Sequence, residues 1–398
     1  MTLLTGLRVL TVDQYGAGPY AGLHLADMGA DVIKIEPPEG GDYGRSVPPF
    51  TTDTGDDSLF FQAFNRNKRS VALDLAHPLG ADTFRRLTAR ADAVLTNLRG
   101  DAARRLGLGY ELLCDVNPRI VCAFLTGFGR DGPRSNDAGF DYMLQAESGI
   151  MSLAGEPGGP PVKAGVSIID FAAGISSAMS LLAGVLSARE KGRGGDVDVS
   201  LQDTAASLLN YVATWQLTRG YETPRLAQSA HPSLVPSQLF DCLDRPIMVM
   251  VNKEAFWPRL AAAVGRPEWM DAPDRADFSQ RLRNRQVVTS DLQDVFTTGT
   301  AAHWLERLAA HGVPSAPVRT VSEAFCAPGY ADRTVSFPHE EFGEVRSPGP
   351  LVSAGPPVVP RRGPSLGQHT EEVLASVAGM TATEISDLKS AGVIPTKG

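Results

Sequence analysis

Two segments of this 398-residue chain carry residue types and spacings that chemistry could use. The first is Gly16-Ala-Gly18-Pro-Tyr-Ala-Gly22, set between a strand-like and a helix-like run, with Glu36 closing the next strand-like run. Glycines let a backbone approach a pyrophosphate, a helix N-terminus offers it N–H donors, and an acid after the second strand takes ribose hydroxyls. The segment therefore reads as a turn for a nicotinamide dinucleotide. Its spacing is GxGxxxG rather than GxGxxG, however, and Pro19 equally suits the first position of an ordinary helix, where a missing N–H costs nothing. The second segment is Asp170, which ends a short β-branched run and precedes a Gly/Ala-rich helix. By type and place alone it is an N-cap, its carboxylate accepting backbone N–H bonds worth about 1 kcal/mol. The seven histidines do not cluster, and His303 and His311 merely flank a Trp304–Leu308 helix face. Cys114, Cys122, Cys242 and Cys326 form no CxxC pair and no metal-type spacing, so no metal set is expected and the thiols read as reduced and packed.

The elements that must position these residues alternate. Strand-like runs at 7–13, 31–36, 70–75, 93–96, 120–125 and 196–201 are separated by helical stretches at 20–28, 78–90 and 171–190. That alternation implies parallel pairing in an α/β, Rossmann-like large domain. Residues 38–58 form a Gly/Pro/Asp-rich loop long enough to suggest function, and 127–165 is again loop-rich. The helix at 171–190 is closed by Lys191-Gly-Arg-Gly-Gly195, a basic last turn with a glycine stop. After Tyr221 the texture changes, which places a large domain at 1–220, a smaller inserted α/β domain at 225–330, and an extended linker with a returning C-terminal segment at 331–398. A net charge of −8 argues against a general nucleic-acid binder. The start lacks a basic and apolar leader, and the run from Phe171 to Ala188 is broken by serines. A cytoplasmic protein away from the membrane is the expectation, its 40 glycines and 29 prolines reporting many turns.

Read in order, a longer set of segments resembles the family III CoA-transferases, the CaiB/BaiF-type group that includes α-methylacyl-CoA racemases. They are the run from Leu7 through Ala17-Gly-Pro-Tyr-Ala21 to Glu36, Phe64-Asn-Arg-Asn-Lys-Arg-Ser70, Asn97-Leu-Arg-Gly100 and Gly127-Phe-Gly-Arg-Asp-Gly-Pro133. Pro161–Asp170, Gly192–Asp203, Gly312–Val318 and Leu366–Leu374 complete the set, which spans nearly the whole chain. The resemblance implies CoA rather than NAD at the glycine turn, with acyl-CoA as a substrate and no tightly bound cofactor. It matches Asp170 to the family's catalytic aspartate, a nucleophile passing through mixed-anhydride and aspartyl-CoA thioester intermediates. It places Tyr15 and Gly16 along the pantetheine, Arg105 on CoA, and Asn67, Lys68 and Arg69 near the nucleotide. Phe140 falls where the racemase branch has its histidine, so transfer is favoured over the alternative, epimerisation at the α-carbon of a 2-methylacyl-CoA; Asp141 is its neighbour in the substrate pocket. A third reading is a CoA-ester binding protein that has lost its chemistry. Where the family often has an arginine after Glu36 this chain has Pro37, with Arg45 as the substitute cation. Ala138 stands in place of a lysine, and Val249–Lys253 lacks the glycines of a shielding loop, which argues against oxalate/formate exchange. His369 is given a structural role. The family's interlocked homodimer, with a carboxylic acid as the second substrate, completes what the resemblance implies.

Overall fold

The computed structural model describes residues 2–353 and 356–396. Six strands, β1 (Arg8–Val12), β2 (Asp31–Glu36), β3 (Arg69–Ala72), β4 (Ala93–Thr96), β5 (Val121–Thr126) and β6 (Gly195–Ser200), form one sheet in the order β3-β2-β1-β4-β5-β6. Every pairing is parallel, for example Leu10 opposite Ile33 on one side and Val94 on the other. This is the doubly wound dinucleotide-fold order, in which the chain reverses direction across the sheet between β1 and β4.

Helices follow in chain order: α1 (Ala17–Asp27), α2 (Leu59–Asn65), α3 (Pro78–Thr88), α4 (Gly100–Arg105), α5 (Tyr110–Leu113), α6 (Asp141–Glu147), α7 (Ile150–Leu153), α8 (Ile168–Lys191) and α9 (Leu201–Arg219). Because both faces of a parallel sheet are covered, its strands are near-continuous apolar runs whose alternate residues enter two different cores. Leu10, Ile33, Val94 and Cys122 pack with Phe84 and Leu87 of α3 and with C-terminal residues such as Val373 and Leu388. Val9, Val32, Leu95 and Ala123 pack instead with Ala21 and Leu25 of α1 and with Ala178, Leu181 and Val185 of α8. By length and composition α8 is apolar enough to span a membrane, yet Ile169, Ala173, Ser177, Leu181, Val185 and Ala188 are buried on one side at helical spacing. That is the signature of a helix lying against a sheet. Its C-terminus is closed by Gly192 in the left-handed conformation, φ 72°.

The chain divides into two compact units: residues 1–148, 165–209 and 332–398 form one, and residues 149–164 and 210–331 the other. The division departs from a boundary near 220, because α9 kinks at Asn210 (φ 34°, ψ −108°) and its second half joins the smaller unit, as does the 149–164 loop. The smaller unit holds the antiparallel sheet β7 (Ser237–Asp241), β8 (Pro246–Met250) and β9 (Ser315–Pro317), packed on Trp257, Phe296 and Trp304. Val249 and Met250 end β8, and Val249 and Val251 are fully buried, so the Val249–Lys253 segment starts as core strand and only Asn252 and Lys253 emerge from it exposed.

The C-terminal segment returns to the larger unit as a hairpin, β10 (Thr334–His339) and β11 (Gly343–Pro348), followed by helices Thr370–Ser376 and Ala382–Ser390. It docks along β3. His369 Nδ1 accepts from Ser70 N at 3.2 Å and Thr370 Oγ1 from Ala72 N at 3.0 Å, which gives His369 a structural role.

Candidate active site

Three helix starts converge at the carboxyl-terminal edge of the large sheet. α1 begins at Ala17, with Gly16 as the residue before it in the turn that follows β1; α6 begins at Asp141 and α8 at Ile168. Asp170 is the third residue of α8, and Ser167 is the residue that precedes the helix. The sequence expectation that Asp170 caps this helix is therefore corrected. The cap comes from Asp141, whose Oδ2 accepts from Ile169 N at 2.7 Å and Asp170 N at 3.0 Å. Asp141 is buried, and its other oxygen accepts from Gln145 Nε2 at 2.6 Å. A carboxylate fixed against the first-turn N–H groups of a helix is favourable for both the bonds and the dipole. Relieved of capping, the Asp170 carboxylate is left to face the α1 turn.

Backbone contact at two places sets this geometry. A Cβ on Gly16 would lie 3.2 Å from Asp170 Oδ2, so the glycine lets the carboxylate rest against the start of α1. Gly127 and Gly139 stack so closely that a Cβ on Gly139 would sit 2.4 Å from the Gly127 Cα. That stack ties the loop carrying Phe140 and Asp141 to the end of β5. Phe140 itself is 61% exposed and bears no exchangeable side-chain proton.

The environment raises Asp170. Burial, with the negative charge of Asp141 added to it, pushes its carboxyl up to about 7. Replacing Asp141 with asparagine removes one of these two causes, and the Asp170 midpoint is expected to fall. Carboxyl-carbon NMR titration of selectively labelled protein checks this; an unchanged midpoint would show that Asp141 acts on Asp170 only through the backbone.

Tyr15, immediately before the turn, adopts φ 68° and is 48% exposed. Its N–H donates to Asp42 Oδ1 at 2.8 Å, and its ring lies 5.0 Å from that of Phe60. Asp42 is held by the buried ammonium of Lys34, which also bonds the Asp13 carboxylate. Burial alone would depress Lys34, but Asp13, Asp42 and Glu36 outweigh it and keep the ammonium charged. The loop at 38–58 is thus a packed support for the glycine turn, with Asp42, Arg45, Asp57 and Ser58 all buried. Lys34 and Asp42 were missed by sequence reasoning; a charge in the middle of a strand buried on both faces was the available signal.

Arg45 does not serve as a free cation. It forms a two-pronged ion pair with Glu36 (2.8 Å to each oxygen) and lies over the Phe61 ring. Glu36 also accepts from Ser70 Oγ at 2.6 Å and Asp42 N at 3.1 Å, and is 1% exposed. Both oxygens of this acid are thus already engaged by protein donors, which removes the physical basis of the nicotinamide reading. Asn67 bonds Asp27 and Arg361, and Arg69 pairs with Asp31 and Glu372. Lys68 is buried, donating to Pro19 O and Asn65 Oδ1, and burial lowers it to about 7. These three residues brace α1 and β3 from within. Arg105, on α4, is the site arginine that is open: its side chain is 71% exposed and meets Asp101 at 3.0 Å.

Beside the turn lies a cavity of about 190 Å³ over the ends of β1, β2 and β3, with Val12, Ile35, Pro37, Leu73, Leu98 and Leu106 as apolar wall and Asp13, Glu36, Asp42 and Asp74 also in the lining. Open α/β sheets bind ligands at this edge, where the strand order reverses. Gln14 and Asn97 mark the reversal, bonded to each other across it at 2.8 and 2.9 Å.

This edge offers a partly apolar cleft and, next to it, one raised carboxylate at the meeting of helix starts. The class so defined is an α/β group-transfer enzyme working on a coenzyme-bound acid. The chain belongs to CoA-transferase family III, whose profile matches residues 4–370, and it transfers CoA between carboxylic acids. It is 33% identical to a succinate–glutarate CoA-transferase of Agrobacterium fabrum over 96% of this chain and 97% of that one. It is 31% identical to the human succinyl-CoA:glutarate CoA-transferase, covering 98% of this chain and 90% of the relative. Among solved structures, a CaiB/BaiF family protein from Brucella suis superposes with a TM-score of 0.81 at 32% identity, covering 94% and 99% of the two chains.

Proposed function

We propose that the chain moves CoA from succinyl-CoA to a second dicarboxylic acid through covalent intermediates on Asp170. The observation that carries this reading is the Asp170 carboxylate itself, raised to about 7 and lying against the α1 turn. In its ionised form it attacks the thioester carbonyl, forming a mixed anhydride and expelling the CoA thiolate. The thiolate then attacks the aspartyl carbonyl of the anhydride, giving an aspartyl-CoA thioester and releasing the donor carboxylate. The acceptor carboxylate attacks that thioester to form a second anhydride, again freeing the thiolate. Attack on the acceptor's carbonyl yields the new CoA ester and restores Asp170, so no acyl activation is lost to water. Of the first turn of α1, Ala17 and Gly18 carry N–H groups without intrahelical acceptors, Pro19 having none, and these two are positioned to stabilise the oxyanions. The dicarboxylic substrates rest on the named activities of the relatives.

The nucleotide end of CoA lies in the cavity walled by Pro37, Leu73 and Leu98, with Tyr15 and Gly16 along the pantetheine and Arg105 at the phosphates. Asn67, Lys68 and Arg69 act indirectly, by holding α1 and β3 in place. Arg105→Ala is expected to raise KM for the CoA ester ~5–10-fold with kcat nearly unchanged, the pattern of lost ground-state binding. Initial rates over a range of succinyl-CoA check it.

Exposed Ile175, Met179 and Leu186 on α8, with Leu208 on α9, support a homodimer that covers these apolar side chains. The protein is assigned to the cytoplasm. The deciding experiment incubates enzyme with succinyl-CoA alone, quenches with hydroxylamine or borohydride, and maps the modified residue by peptide mass. Label on Asp170 is expected. Turnover without any trapped adduct there would sink the covalent route.

A further inference from the structure

The opposite edge of the large sheet carries a second polar cavity, of about 370 Å³, that the reading above does not use. It lies beside the entries to β4 and β5, roughly 13–20 Å from their exits at about 3.3 Å per residue. Arg90, Arg119 and Arg189 line it, with Asp92, Asn117 and Val185. Asp92 is the one acid in the lining, and it is spoken for: Oδ1 accepts from Arg189 at 3.1 Å and Oδ2 from Arg8 N at 2.9 Å. Among the described residues no carboxylate pairs with Arg90 or Arg119. In a chain of net charge −8, such a concentration of unneutralised guanidinium groups is conspicuous.

The cavity's own acceptors are also occupied. The C-terminal turn of α3 would ordinarily present carbonyls and the negative end of its dipole here. Asn117 Nδ2 instead bonds Thr88 O at 3.0 Å and Ala91 O at 2.7 Å, and Arg8 bonds Arg90 O at 3.2 Å. Asn117 Oδ1 accepts from Arg119 N at 3.1 Å, which orients the amide with its donors on α3. With these three carbonyls and the single acid engaged internally, the cavity's charged capacity that is left over is cationic, on Arg90 and Arg119. We infer that it is a binding site for a diphosphate-sized anion, held by Arg90 and Arg119 with Arg189 at the wall. Guanidinium forks match phosphate oxygens two bonds at a time, and two of them without a carboxylate partner in one concave site, with Arg189 held by Asp92 at its wall, suit two adjoining phosphates better than one carboxylate.

The test uses the full chain and inorganic pyrophosphate, followed by calorimetry at physiological salt. Wild type is expected to bind one equivalent saturably. Arg90→Ser/Arg119→Ser is expected to weaken Kd at least ~10-fold, since each charge-assisted bond lost counts heavily. Arg119→Glu alone should weaken it comparably. CoA carries a diphosphate too, so the titration is repeated with CoA saturating: pyrophosphate binding should persist. Absence of saturable binding, binding indifferent to the double variant, or displacement by CoA would each overturn the assignment. Both variants lie away from Asp170, and transferase activity retained by them confirms that the fold is intact.

Discussion

Asp170→Asn is expected to cost at least ~10⁴-fold in kcat while leaving the CoA ester bound, because an amide cannot open the anhydride sequence yet nearly preserves the shape of the carboxylate. The same substitution is expected to make the folded chain more stable at pH 8. Burial and the Asp141 charge lift the Asp170 carboxyl from 3.8 to about 7, so the folded state prefers it protonated. For a raised carboxyl the linkage is unfavourable: the penalty is absent below about pH 3.8, grows as pH rises, and is complete above about pH 7. Asparagine removes it. At 1.36 kcal/mol per pH unit, discounted for the partial exposure of the side chain, the gain at pH 8 is about 1–3 kcal/mol.

Urea denaturation of wild type and Asp170→Asn at pH 8 and pH 4.5 checks both the sign and the window. The variant's advantage should be large at the first and shrink sharply at the second. Equal stability at pH 8 would mean that the carboxylate is solvated in the native state, and its role as a desolvated nucleophile would fail with it. The same titration predicts a wild-type rate that falls as pH drops through about 7, since the protonated acid cannot attack. Strain held at the reacting group and released by a disabling substitution is the usual relation between function and stability.

Much of this arrangement was legible beforehand, and what was not has definite causes. The strands came through clearly because a parallel sheet covered on both faces writes short apolar runs: 93–96 and 31–36 coincide with β4 and β2. The return of the C-terminus was implied, but not the break between its two helices. The stop lay in Thr381-Ala-Thr-Glu384, a capping box formed in full, after Gly379 at φ 65°. The kink at Asn210 left no trace, since Leu201–Arg219 contains no glycine or proline. At the site, Asp170 was found, but its position in the helix was not. The group that caps α8 comes from Asp141, twenty-eight residues away from Ile169, and no local pattern reports a contact across a loop. Arg45 looked like a free cation for the same reason. Its partner Glu36 ends a strand nine residues earlier, and only the folding of the 38–58 loop brings them together.

Lys34→Met is expected to be the most destabilising single change near the site, at about 3–5 kcal/mol. Lys34 is wholly buried and bonds Asp13 through both its carboxylate and its carbonyl oxygen, the latter at 2.8 Å, and Asp42 at 2.8 Å. Methionine fills the space and leaves two carboxylates without a counter-ion, which is costlier than never having buried the pair. Acid distinguishes this cause from simple loss of packing. In wild type Asp42 and Glu36 are held below their ordinary range, against the desolvation that would raise them, by Lys34 and Arg45 respectively. Their contribution is therefore present at neutral pH and is lost only as pH falls through those lowered values. In Lys34→Met the orphaned carboxylates can be neutralised by protons, so the gap between variant and wild type should narrow between pH 7.5 and pH 5. A packing defect would keep it constant. Lys34→Met/Asp42→Asn should recover part of the loss, the coupling expected of direct partners. Because Asp42 Oδ1 anchors Tyr15 N at the entrance to the glycine turn, the single variant should also raise KM for the CoA ester even where it remains folded. Stability lost without any change in KM would separate the buried triad from the site that it underlies.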